Sequence, residues 1–189
     1  MKREEMRAVR ILVVIGIAMF LANCVPSLHP LFTEKDLVFD PALIGMWVDE
    51  NGKNTWAFQK SGDNSYELVY TENESPAKFE AHLVKLEKFL FLDLFPEEPE
   101  MKNGLYKGLL IPVHGFSRIW IEGDLVKLAY LDPDWLKDMI DKKKIKIGHD
   151  FIDQGIILTE QTKDLQKFAV KYAEDSKAFS VKTELHRQK

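Results

Sequence analysis

The side chains with the widest chemical reach in this chain are His29, His82, His114, His149 and Arg118. Zinc sites usually announce themselves by close spacing such as HxxxH or CxxC, because neighbouring turns must bring two ligands to one ion. These histidines are scattered with no such pair, so no metal site and no cofactor is expected. His114, Arg118 and Glu122 share one face of a β-run with Phe116 and Trp120. Two readings of that face stand open. It is a polar cluster inside a cavity, with His114, Phe116, Arg118 and Trp120 as ligand-binding candidates, or an exposed face on which Arg118 lies over aromatic rings; the second is favoured. His82 falls on the polar side of its strand and reads as solvated. No serine stands in a GxSxG elbow and no GxxxxGKS or GxxxxGKT phosphate loop occurs. Glu97, Glu98 and Glu100 lie in a proline-broken loop that reads as solvated. No catalytic residue is assigned.

The remaining reactive group is Cys24, the only cysteine. A lone thiol cannot close an internal disulfide. It follows an uncharged apolar run, residues 11–22, which is preceded by Lys2, Arg3, Arg7 and Arg10. A membrane-spanning helix needs about 20 apolar residues; a run of roughly 7–15 behind a basic start is the pattern of a signal peptide. The positive charges orient the start of the chain to the cytoplasmic side. A run apolar on every face also argues against a surface amphipathic helix.

The segment Leu21-Ala22-Asn23-Cys24 resembles the lipobox of bacterial lipoproteins. Leu21 and Ala22 match that pattern, while Asn23 stands where Gly, Ala or Ser is usual. The resemblance implies cleavage before Cys24, a signal peptide over residues 1–23, and diacylglycerol with a further fatty acid such as palmitate on the new first residue. Each buried methylene adds about 0.8 kcal/mol of membrane affinity, so two or three chains anchor firmly. Val25 follows where Asp would favour inner-membrane retention. The resemblance therefore implies an exported, lipid-anchored protein of the cell envelope, at the outer membrane and facing the periplasm.

Beyond the leader, the chain has the length of one ordinary domain and can bury a core without staples. The content is 46% hydrophobic and 30% charged, as in a globular domain. The formal net charge is −4 with no dense basic patch, which argues against a nucleic-acid partner.

The elements that must position these residues are mostly strands. Residues 24–39, with Pro26 and Pro30, read as the lipidated cysteine and a tether. Asp40-Pro41 reads as a helix cap with proline at the first helical position. A globular domain over residues 40–175 then opens with Gly45-Met46-Trp47. Asn51-Gly52 marks a hairpin between 45–50 and 54–60. Further strands are expected at 65–71, 77–87, 89–95, 113–121 and 124–132. Tyr66, Leu68 and Tyr70 fall on one strand face, as do Phe79, Ala81 and Leu83. Residues 89–95 are apolar on both faces except Asp93, so a cover is expected on both sides. Residues 105–111 read as a short helix or a buried strand. Asp132-Pro133 repeats the cap, ahead of a helix carrying Trp135, Leu136, Met139 and Ile140 on one face. Residues 151–159 read as the last strand. Thr162 is expected to cap a C-terminal helix with Leu165, Phe168, Ala169 and Tyr172 inward. Residues 176–189 read as a frayed tail.

The expected fold is mainly β: an antiparallel meander of seven or eight strands, closed or half-open, with a helix before the last strand and one C-terminal helix. Closure removes exposed strand edges. The order of a helical turn, Gly45-x-Trp47 opening the first strand, a meander and a late helix resembles the lipocalins. Lipocalins pack an arginine from near the last strand on that tryptophan. With 151–159 as the last strand, the remaining candidate is Arg118, which stands early. The resemblance implies a barrel that takes a small apolar ligand. The functional expectation is non-catalytic binding of such a ligand or of an envelope component. The alternatives are a structural or assembly partner of a larger envelope complex and, behind it, a hydrolase using His114, Arg118 and a carboxylate.

Cells fed a clickable fatty-acid analogue are expected to label the wild-type protein, and Cys24→Ser is expected to abolish the label. Labelling that survives the substitution would locate the lipid elsewhere.

Overall fold

The computed structural model describes residues 25–98, 102–153 and 155–189. The expected signal peptide, the lipobox-like segment and Cys24 lie outside the described residues. Among the described residues, no helix is long and apolar enough to cross a membrane.

The meander expected from the turn signals forms. Strands β2 (Gly45–Asp49), β3 (Thr55–Lys60), β4 (Tyr66–Glu72), β5 (Ser75–Leu86), β6 (Phe89–Pro96), β7 (Gly115–Glu122) and β8 (Leu125–Leu131) pair antiparallel, each with the next. A further strand, β11 (Phe179–Arg187), pairs with both β8 and β2. It closes an eight-stranded barrel of lipocalin-like form. The short β1 (Leu37–Val38) adds to the far half of β5.

Two expectations are corrected by this topology. The segment at 176–189 is not frayed; most of it is the closing strand. The strand expected at 151–159 is a separate hairpin outside the barrel, β9 (His149–Ile152) with β10 (Gly155–Leu158). The helix before that hairpin and the C-terminal helix both form, as α2 (Pro133–Asp141) and α3 (Thr162–Tyr172). Both therefore precede the true last strand. Asp132 caps α2 as expected, accepting from the Asp134 and Trp135 amides. The cap of α3 is Gln161 rather than Thr162, whose hydroxyl is committed to the Pro30 carbonyl at 2.9 Å.

The barrel wall separates two apolar cores. Inside lie Trp47, Trp56, Phe58, Tyr66, Leu68, Ala81, Leu83, Leu92, Ile119, Val126, Leu128 and Leu185. Outside, α2, α3 and the hairpin cover Val84, Phe89, Phe91, Phe116, Ala129, Leu131 and Phe179. Strand β6 serves both, as its two-sided apolar pattern requires: Leu92 faces in, Phe89 and Phe91 face out. Its one acid, Asp93, is fully buried on the outer side. It accepts from the Leu31 amide at 2.8 Å and contacts His114 Nδ1 at 2.7 Å.

Leu31 belongs to the segment expected to be a tether, and the structure corrects that too. Val25, Ser27 and Leu31 are buried. Ser27 exchanges both backbone hydrogen bonds with His114, while Pro26 and Leu28 bond to Leu158. The first described residues are thus a strap laid between β7 and β10. Its contacts lie far along the chain, which is why no local pattern announced it.

One end of the barrel is shut by the turn at Pro41–Leu43. Trp47 Nε1 donates to the Leu43 carbonyl at 2.9 Å. Arg187 lies over the Trp47 ring, 4.2 Å from its centroid, and donates to the carbonyls of Ala42 and Ile44. The arginine that the lipocalin resemblance called for is therefore Arg187, not Arg118. Gly45 is required beside it: its φ is +130°, and a Cβ there would stand 2.7 Å from Arg187 Nη1.

Arg187→Leu is expected to lower stability by about 1–3 kcal/mol, since two carbonyls lose their charged donor. A urea titration against the wild type checks this, and an unchanged midpoint would show that the end of the barrel is held by other contacts.

Candidate ligand-binding site

The opposite end of the barrel is not filled. A cavity of about 530 Å³ opens there, within the ordinary size range of small-molecule sites. Its walls are Trp56, Leu68, Tyr70, Phe79, Leu94 and Tyr130. Strand alternation puts them there: Trp56 lies opposite Tyr70 on adjacent strands, their rings 4.9 Å apart, and Phe79 lies across from Leu68. The mouth is polar, with Asp49, Glu50, Asn51, Asn54, Lys182 and Glu184. Asp49 fixes one side of this rim by accepting from the Lys53 amide and from Asn54 Nδ2, both at 2.9 Å.

An apolar shaft with a polar collar suits a ligand whose body is apolar and whose head is wet. Tyr70 lies at the junction, its hydroxyl 3.4 Å from Glu72 Oε1. Burial, and then the Glu72 charge, push its pKa well above the usual phenol range. It stays neutral and able to donate. Deeper, the Tyr66 hydroxyl donates to the Asp40 carbonyl and accepts from the Asp40 amide. Burial raises its pKa to about 12.

The residues singled out from sequence lie elsewhere. Phe116, Arg118 and Trp120 do share a strand face, but it faces outward, into the outer core and away from the cavity. Arg118 lies over the Phe89 and Trp120 rings at 4.9 and 4.3 Å and donates to the Ala173 carbonyl of α3. Desolvation lowers its pKa from the usual guanidinium value. Its cation–π contacts match the favoured alternative, although the face is largely covered rather than exposed. His114 is held by Asp93 and by Phe95, whose ring is 4.5 Å away. Glu122 is exposed and pairs with Lys127. His82 is buried under the Phe32 ring at 4.4 Å rather than solvated.

A ligand-holding barrel was expected, but not which residues line its cavity, because the walls come from several strands, each contributing one or two inward positions of an ordinary alternating pattern. Sequence reasoning missed a group at the rim, Glu50, Glu184 and His186, whose ligand atoms all lie within 4.8 Å of one another. Such a trio can hold a divalent cation, and exposed acidic groups of this kind are common without one. Its donors come from β11 and the end of β2, so no motif spacing marks it.

No family model matches the chain, and no curated protein or solved structure matches it either.

The buried phenols give a pH signature. An unfolded tyrosine ionises near pH 10, whereas Tyr66 holds its proton to about 12 in the fold. Between those values the folded state binds more protons, so stability is full below pH 10 and falls as pH rises. Urea midpoints are expected to drop across roughly pH 10 to 12, less steeply in Tyr66→Phe than in the wild type. An equal slope in both would assign the alkaline loss to other groups.

Proposed function

We propose that this protein is an exported, lipid-anchored component of the bacterial cell envelope whose barrel binds a small apolar ligand without transforming it. The observation that carries the binding half is the apolar cavity at the open end of the barrel, with its polar mouth. The half concerning export rests on the sequence alone: the short apolar run, the lipobox-like segment and Cys24 as the sole thiol. Outer-membrane delivery with the domain facing the periplasm follows from Val25 after that cysteine.

The geometry favours binding over hydrolysis. The groups a hydrolase would have drawn on, His114 and Arg118, are tied to Asp93 and Ala173 on the far side of the barrel wall. The walls of the cavity offer aromatic and aliphatic surface, with Tyr70 and Tyr130 among them. A ligand with a single apolar chain or ring system and one polar end matches that lining, by burial of apolar area at about 25 cal/mol per Å².

A fluorescent fatty-acid analogue is expected to bind the purified protein and to quench tryptophan emission through Trp56. Leu94→Trp, which fills the shaft, is expected to weaken that binding at least roughly tenfold, as an overfilled apolar site should. Trp120→Phe, on the outer face, is expected to leave it unchanged. Equal binding by all three proteins would remove the cavity from the account.

A further inference from the structure

The connection between β6 and β7 is apolar where connections are normally polar. It carries the short helix α1 (Gly104–Gly108), capped by the Asn103 side chain. Leu105, Tyr106, Leu109, Leu110 and Ile111 are 77, 58, 74, 47 and 76% exposed. Half of the large apolar side chains exposed among the described residues fall in these seven positions. Clusters of this kind mark interaction surfaces.

Three observations identify the occupant as a lipid surface. The first is direction. Leu105 and Tyr106 lie on the single helical turn, and Leu109, Leu110 and Ile111 follow it; all five are exposed, on the turn and beyond it. A protein groove covers one stripe of a segment, whereas a bilayer receives apolar side chains spread along and around it. The second is charge. Lys102 and Lys107 stand among the apolar side chains of residues 102–114, where no acid occurs; Glu97, Glu98 and Glu100 precede them, and Glu98 pairs with Lys107 at 2.9 Å. Lysines bordering apolar and tyrosine side chains suit an anionic headgroup layer. The third is place. The segment ends at His114, whose backbone is doubly bonded to Ser27. Ser27 is three residues from Cys24, so the root of the segment lies within about 10 Å of chain length from the proposed anchor.

The geometry points to residues 102–111 as a finger that dips into the membrane holding the protein, at the open end of the barrel. It stands between β6 and β7, which pair with each other just below the mouth, where β6 carries Leu94 into the cavity wall. An apolar ligand then passes between bilayer and cavity without crossing water. This transfer rests on the apolar-ligand reading given above for the cavity, whereas contact of the finger with lipid rests on the lipid-anchor reading.

The test uses the full chain carrying Cys24→Ser and Leu109→Cys, labelled with an environment-sensitive fluorophore and reconstituted in vesicles of phosphatidylethanolamine and phosphatidylglycerol. The leader then holds the domain at the bilayer in place of the lipid. We expect a blue-shifted label quenched by doxyl lipids and shielded from iodide, while the same label at Ser61→Cys, at the closed end, stays iodide-accessible. A label at 109 as wet as the one at 61 overturns the proposal. A label that is dry but unquenched by doxyl lipids overturns it in favour of a protein partner or a second copy. In a second measurement, Leu109→Asp/Leu110→Asp is expected to bind the fatty-acid analogue in solution as the wild type does. Its uptake of the analogue from vesicles is expected to slow by at least roughly tenfold, because acids are costly in hydrocarbon. Equal uptake rates would overturn the transfer role. Absence of solution binding by the wild type would instead overturn the cavity reading and leave the depth result standing.

Discussion

A meander of seven strands has two raw edges, and the whole architecture depends on how they are joined. In this protein β11 fills the gap between β8 and β2, satisfying the backbone groups of both. Arg187 then ties that closure to the bottom of the barrel. It spans from β11 to the indole of β2 and to the carbonyls of the turn that plugs the end. A guanidinium suits this place because its planar fork can stack on a ring and donate in two directions at once. Gly45 is part of the same joint, since its φ of +130° is a conformation that residues with a Cβ rarely adopt, and a Cβ there would press on the fork.

With the bottom shut and the wall continuous, the two cores divide the labour. The inner core is dense near Trp47 and thins toward the mouth. The outer core holds α2, α3, the β9–β10 hairpin and the strap against β5 to β8. Polar groups caught between these layers are tied down: Asp93 serves Leu31 and His114, and Gln166 serves the Leu31 carbonyl and Asp36. A buried carboxylate costs several kcal/mol unless it is so engaged. The outer layer thus stiffens one side of the barrel, while the mouth at the other end stays open.

Much of this was legible in local signals. Asn51-Gly52 marked its hairpin, Asp132-Pro133 marked its helix, and the sets Tyr66-Leu68-Tyr70 and Phe79-Ala81-Leu83 were each read as one strand face from alternation. The closing strand was not legible, and a β-bulge is the reason. Phe179 and Leu185 are six residues apart, which in a regular strand would put them on one face. The register shift between Val181 and Thr183 breaks that parity. Phe179 then packs in the outer core and Leu185 in the inner one. With lysine, threonine and glutamate between them, the segment carries no period-two signature. The candidate site failed differently: the pattern around Arg118 was read correctly as a face, but sequence alone does not say on which side of a wall a face lies.

The strap has a mechanical consequence. Val25 is already wedged into the outer core, so a single peptide unit, about 3.8 Å long, separates Cys24 from the rigid body of the domain. A lipid on Cys24, as proposed above, would be a handle and not a leash. Twisting or tilting that handle turns the barrel with it, because few free torsions intervene to absorb the motion. A domain fastened in that way would have a small radius of action, reaching only what lies within its own width of the attachment.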